Sequence, residues 1–236
     1  MNQNPYYRHR FPAEIISHCV WLYNSFSLSY RDIEKMMLYR GIEVTYESVR
    51  DWVDKFSGSA AKKIRKGRPK ASDKWHLDEV RVMIKGEEHW LWRAVDSQGQ
   101  VLDILIQKRR DAGAAKNLML RLLQKQGLIP RVIVTDKLKS YSAAFKEMGL
   151  DVEHRQHKGL NNRAEQSHQW TRLRERKMRR FKSQSQAQRF LPPGEIIYQQ
   201  TQPARHKLTA AVSREMMLDG IRKWKEFTGV LVFNLR

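Results

Sequence analysis

The sequence predicts an α/β fold: a mixed five-stranded sheet flanked by helices, preceded by a small all-α domain. Three observations predict it. Apolar residues recur at helical spacing between Phe11 and Phe56, the period changes to two from Trp75, and strand-like and helix-like segments alternate after that. With 236 residues, the chain is long enough for one medium domain and one small one.

The composition favours a nucleic-acid partner. Lys and Arg number 45 against 25 Asp and Glu, a net charge of +20, and such a chain associates with polyanions. No apolar run of membrane-spanning length and no signal peptide is present, so no membrane partner is expected. Cys19 is the only cysteine, which excludes intramolecular disulfides and fits a cytoplasmic protein. No phosphate-binding glycine motif appears, so no nucleotide cofactor is expected.

Residues 1–56 are predicted to form a helix-turn-helix domain. Ser29 stands three residues before Asp32, a capping-box start for a helix that Gly41 ends. Thr45 is a good N-cap for the next helix, and Val44 and Val49 occupy the positions of a hydrophobic staple. The start of this second helix would then meet base edges, which makes Tyr46, Glu47 and Arg50 candidate DNA contacts. The alternative is a three-helix bundle that packs against another part of the protein.

Residues 57–73, SGSAAKKIRKGRPKASD, are predicted to be a basic linker, because they combine small residues with six cations and almost no large apolar side chain. Arg65 and Arg68 lie in its RKGRPK core, which is suited to a minor groove. A solvated basic tether is the alternative, and the composition favours it.

From residue 74 to 190 the pattern predicts an α/β domain, which the acids described next make the candidate catalytic domain. The segment WHLDEVRVMIKG alternates so that Asp78 shares a face with Val80 and Val82, while Glu79 points the other way. Two more strands, a helix ending at Gly127, a strand ending at Asp136, a short helix, the strand DVEHRQ and a basic helix follow. Three antiparallel strands followed by alternating helices and strands is the layout of an RNase H-like fold.

Asp78, Asp136 and Glu165 are predicted to meet at one edge of this sheet. Two divalent ions held by such carboxylates can activate a water or a 3′-hydroxyl and stabilise the leaving oxygen of a phosphoryl transfer. Hard cations such as Mg²⁺ take carboxylate oxygens and complete their shells with substrate phosphate. An arginine could also balance these acids, and Glu165 alone could simply form a surface salt bridge. His154, His157 and His168 do not share one helical face, so no zinc site is predicted.

Arginines follow Glu165 along the same predicted helix face. Within Asn161–Arg180, seven Lys and Arg stand against two acids. Steps of seven, eleven and fourteen residues from Glu165 place on its face the phosphate-binding candidates Arg172, Arg176 and Arg179.

These segments resemble the bacterial insertion-sequence transposases of the DDE type, closest to the insertion sequence six family. The matching sequence segments are WHLDEV, RAVDSQGQVLD, VTDKLKSY, DVEHRQHKGLNNRAEQSHQWTR and MRRFKS. The resemblance implies a catalytic and metal-binding triad of Asp78, Asp136 and Glu165, with two Mg²⁺ or Mn²⁺ ions. It also implies Arg172 as a DNA contact. Lys137, beside Asp136 in VTDKLKSY, is a further DNA-binding candidate.

The resemblance implies a transposase that binds double-stranded DNA at the element's ends and at the target, works as a homodimer or larger, and lies on the nucleoid when bound. Two alternatives remain: an inactive DNA-binding protein from a decayed element, and a metal-dependent nuclease of the same fold. Residues 191–236 are predicted to be a helical tail, in which Met217, Ile221 and Trp224 align on one face.

Overall fold

The computed structural model describes residues 5–156, 162–202 and 209–230, and the side chains of 162–167 are not described. The chain forms two compact units, residues 1–68 with 193–236, and residues 69–192. No helix in the described part is long and apolar enough to cross a membrane.

The first unit begins with three helices, α1 (Ala13–Ser25), α2 (Tyr30–Tyr39) and α3 (Tyr46–Lys66). The predicted caps are confirmed: Ser29 and Asp32 form a capping box at α2, and the Thr45 side chain accepts from the Ser48 N–H at α3. Gly41 follows α2 with φ +73°, a left-handed conformation that glycine adopts without strain.

The prediction of a linker over 57–73 is wrong for residues 57–66, which continue α3. Ala60, Ala61 and Ile64 are buried there at helical spacing, and the interspersed Lys and Arg are good helix formers. Small residues that read as flexible in the sequence are therefore the packed face of a long helix.

The C-terminal helix α8 (Ala210–Thr228) packs within this first unit. Trp224 on its predicted apolar face is buried, and its indole N–H donates to Ser17 of α1 at 3.0 Å. A Cβ added at Gly220 would lie 2.1 Å from the carbonyl oxygen of Gln200, so this close approach requires glycine. The structure thus groups the predicted separate tail with the N-terminal helices.

The second unit contains the five-stranded sheet, in the order β3-β2-β1-β4-β5. Neighbours β1–β2 and β2–β3 are antiparallel, whereas β1–β4 and β4–β5 are parallel. This order and direction define an RNase H-like fold and confirm the predicted fold class. The strands are β1 (Lys74–Ile84), β2 (Glu87–Asp96), β3 (Val101–Gln107), β4 (Val132–Thr135) and β5 (Glu153–Gln156).

Helices cover both faces and one edge of the sheet. On one face α4 (Ala112–Gln126) and α5 (Lys139–Glu147) bury a core with Trp75, Leu77 and Trp92. On the other face α6 (Asn162–Lys177) contacts β1 and β2. Helix α7 (Gln184–Thr201) lies along the edge strand β3, where the Gln188 side chain accepts from the Ile106 N–H and donates to the Ile104 carbonyl.

Two aspartates near the β2–β3 turn have different roles. Asp96 accepts from the backbone N–H groups of Gln98 and Gln100 and so caps the turn. Asp103 is buried on β3 and pairs with Arg121 and Lys125 of α4, at 3.0 and 2.6 Å. The pairing balances a buried carboxylate that would otherwise be costly.

Candidate active site

Asp78 and Asp136 lie side by side at one edge of the sheet. Asp136 directly follows β4, which runs parallel to β1 in the register His76 with Val134. Continuing that register by two residues brings Asp78 opposite Asp136. One carboxylate oxygen from each of Asp78, Glu79 and Asp136 lies within 4.8 Å of the others. Oxygen donors at this separation fit a hard divalent cation.

Glu79 is the acid that sequence reasoning did not include in the site. Its side chain is buried on the opposite face of β1 from Asp78, accepts from the Tyr141 hydroxyl at 2.8 Å and from Arg110 Nε at 2.9 Å. Burial raises the pKa of the Glu79 carboxyl to about 7, with the Asp136 charge adding to the rise and hydrogen bonds from Arg110 and Tyr141 opposing it. Its position directly after Asp78, in the segment WHLDEV, is the sequence signal that could have indicated this acid.

Arg110 supplies a cation next to this cluster. Its guanidinium lies 3.7 Å from Asp136, bonds Glu79, and stacks over the Trp90 ring with its central carbon 4.7 Å from the centroid. An arginine therefore balances part of the negative charge, as the sequence allowed. Arg110 lies in the connection between β3 and α4, and nothing in its local sequence identifies that contact.

His168 connects helix α6 to the site. Its Nε2 lies 2.8 Å from Asp78 Oδ2, and both side chains are largely buried. Burial lowers the pKa of the His168 imidazole. Because a carboxylate can only accept, Nε2 is the donor. Sequence reasoning treated this histidine only as a zinc candidate.

Glu165 lies in the first turns of α6, three residues before His168. Its side chain lies outside the described residues, so its place in the triad remains a prediction. The His168 bond nonetheless fixes α6 against β1 one turn further on.

The predicted phosphate-binding arginines lie near one another. Arg172 and Arg176 on α6, with Arg179, line an open cavity of about 560 Å³. The prediction that Arg179 shares the helix face is wrong, because α6 ends at Lys177 and Arg179 has a left-handed backbone, φ +51°. Lys137, beside Asp136, is exposed.

The candidate DNA contacts of the first unit lie on α3 and just after it. Tyr46 begins α3 and carries the Arg31 guanidinium over its ring, while Glu47 and Arg50 are exposed on the same turns. Arg65 is exposed in the last turn of α3. Arg68 instead donates to the backbone carbonyl of Ile196 at 2.9 Å, so its guanidinium is engaged within the chain.

Comparison with known proteins agrees with this geometry. A family model described as a DDE domain matches residues 72–200. The Staphylococcus aureus transposase for the insertion sequence-like element IS431mec is 33% identical over 199 residues, covering 82% of this chain and 87% of the relative. The S. aureus transposase for insertion sequence element IS257 in transposon Tn4003 shows the same identity and coverage.

The HTLV-2 integrase catalytic core domain in complex with magnesium (trimeric form) is 14% identical, with a TM-score of 0.40 over 58% of this chain and 90% of that one. The fold assignment rests on the sheet order, and the family assignment rests on the family model and the transposase relatives. The second unit is therefore a DDE domain built on an RNase H-like sheet. The chain belongs to the DDE transposases of the insertion sequence six family.

Proposed function

We propose that this transposase cleaves DNA at the ends of its own insertion sequence and joins them to target DNA, with Asp78, Asp136 and Glu165 as the acids that bind two Mg²⁺ or Mn²⁺ ions. The observation that carries the proposal is the convergence of the carboxylates of Asp78 and Asp136 at the edge of an RNase H-like sheet. Such acids are unfavourable side by side unless a cation balances them.

The protein's own residues prepare this site. His168 orients the Asp78 carboxylate by its hydrogen bond, and Arg110 with Tyr141 holds Glu79 behind it. Divalent ions, when bound, would activate the attacking hydroxyl and stabilise the leaving oxygen. Fixed donors around the ligating acids limit the reorganisation that binding requires.

DNA contacts are proposed on both units. On the second, Lys137, Arg172, Arg176 and Arg179 would contact the strand near the carboxylates, because guanidinium groups bind phosphate oxygens in a fixed fork. On the first, the exposed start of α3 would meet base edges at the element's ends, through Tyr46, Glu47 and Arg50. Arg65 would contact the DNA phosphate backbone.

Two DNA ends must be joined, so a homodimer or larger assembly is proposed. The rival functions, an inactive binder and a nuclease of the same fold, predict different products. A binder retains DNA without cutting it, and a nuclease cuts without joining.

Cleavage of a labelled duplex taken from the DNA flanking the gene tests the proposal. Asp136→Asn should lower the Mg²⁺-dependent cleavage rate by more than about 100-fold, because losing a ligand costs more than losing a ligand's partner. The control is Asp151→Asn, which changes the charge equally at an exposed acid outside the cluster. Equal cleavage by wild type and Asp136→Asn would contradict the proposal.

A further inference from the structure

The chain leaves helix α6 through two consecutive arginines with left-handed backbones. Arg179 has φ +51° and Arg180 has φ +72°. The Arg180 N–H donates to the Glu175 carbonyl at 2.9 Å, and the Arg179 N–H donates to the Arg176 carbonyl at 3.1 Å. These bonds form a Schellman motif, in which Arg179 occupies the position that glycine usually fills. The arginines thus stand where a side chain is disfavoured.

Neighbouring structure holds this corner in place. The Glu175 carboxylate accepts from the Met83 N–H of β1 at 3.3 Å. Phe181, directly after the corner, is buried and pairs with Ile84 in an isolated parallel bridge. A left-handed non-glycine residue persists where its surroundings fix the backbone, and such residues concentrate at functional sites. These contacts explain how the conformation is maintained, but they involve the guanidinium group of neither Arg179 nor Arg180.

Both corner arginines line the open cavity beside β1. Five arginines and a single acid line it, and the lining residues are Val80, Arg81, Arg172, Glu175, Arg176, Arg179 and Arg180. Val80 lies two residues beyond Asp78 on the same strand, so the cavity lies further along β1 from the carboxylate cluster.

The cavity's positive charge is poorly balanced. Within the described part of the chain, Arg81 forms an exposed pair with Glu88 at 3.4 Å, a contact of little strength. No described acid forms a salt bridge with the corner arginines Arg179 and Arg180. A concave surface of unbalanced guanidinium groups fits the successive phosphates of a nucleic-acid strand.

We propose that Arg179, Arg180 and Arg81 form a backbone clamp, a set of phosphate contacts for the DNA strand that runs from the carboxylate cluster along β1. This inference rests on the proposed function and adds to it two residues, Arg81 and Arg180, and the path of the strand. The left-handed corner places two adjacent arginines in the lining of one cavity.

The test uses Arg179→Gly, Arg180→Gly and the double variant in the full chain. Glycine fits the left-handed backbone, so relief of strain offsets its extra freedom in the unfolded state, and Tm should stay within about 3 °C of wild type. Affinity for a fluorescent duplex from the gene's flank is measured over a series of salt concentrations. The slope of log K against log salt is negative, and each lost phosphate contact should make it less steep by about 0.9. The double variant should make it less steep by about twice that amount.

Lys85→Gly is the matched control. Lys85 is also a cation with a left-handed backbone, φ +52°, but it does not line the cavity. Its substitution removes the same kind of strain and one positive charge, and should leave the salt slope unchanged.

Four results would overturn the clamp. Unchanged slopes in the double variant, with wild type binding the duplex, would remove the clamp and leave the proposed function intact. An equal slope change in Lys85→Gly, or a slope change accompanied by a large loss of Tm, would assign the effect to charge or to folding. Failure of wild type to bind the duplex would overturn the clamp and the proposed function together.

Discussion

The hydrogen bond from His168 Nε2 to Asp78 is the residue-scale contact on which the geometry of the proposed metal site depends. His168→Leu fills the buried position with an apolar side chain but removes the donor. Mn²⁺ affinity, measured by calorimetry, should then fall by about 10–100-fold, the loss typical of removing a ligand's hydrogen-bond partner. His168→Gln can still donate at similar reach and should retain most of the affinity.

Comparing these two His168 variants distinguishes a loss of Asp78 orientation from a loss of folding. Tm recorded for each variant shows whether the fold is intact. Equal Mn²⁺ affinity in His168→Leu and wild type would show that Asp78 needs no orientation by this histidine.

At this scale the sequence predicts the acids better than their neighbours. Asp78 and Asp136 are recognisable because each stands at a defined place on a strand, and strand order then brings them together. Arg110 and His168 meet them through tertiary packing, from the β3–α4 connection and from helix α6. No local pattern encodes such a meeting, so the charge balance of the site emerges only from the fold.

The edge strand β3 shows an element-scale solution to unpaired backbone groups. Helix α7 lies beside it, and the Gln188 amide both accepts from the Ile106 N–H at 2.8 Å and donates to the Ile104 carbonyl at 2.9 Å. The Gln188 side chain thus forms the two hydrogen bonds that a neighbouring strand would form. It covers an edge that would otherwise be free to pair with other chains.

Gln188→Ala should lower the free energy of unfolding by about 1–3 kcal/mol, because a buried donor and acceptor lose their partner. Urea denaturation measures the change, and light scattering should show more self-association. Gln186→Ala is the control, since Gln186 bonds the exposed Lys182 N–H instead. Equal stability of the Gln188 and Gln186 variants would show that α7 does not protect the edge through this amide.

Most elements of the sheet domain were predicted because period-two strands and the helix end at Gly127 are local signals. Two predictions failed for tertiary reasons. Residues 57–66 read as a tether because small side chains look flexible until another surface packs on them. Helix α7 was not predicted, since it runs through Pro192 and Pro193, which in a sequence indicate a break.

At the scale of the whole molecule, charge and topology agree on one kind of partner. A net charge of +20 favours a polyanion, and the strand order of the RNase H-like sheet brings acids together at one edge. The division into two compact units agrees with a DNA-reading part and a catalytic part as the proposed roles. A tail that packs with the first three helices adds to the first unit rather than extending the sheet domain.

Strand joining by the purified protein tests the central claim most directly. Wild type is incubated in Mg²⁺ with a labelled duplex carrying the element's end and an unlabelled target, beside Glu165→Gln. The account predicts joined products from wild type, and from Glu165→Gln equal binding of the end with no cleavage or joining. Joined products from Glu165→Gln at the wild-type rate, or binding by wild type with no cleavage, would contradict it.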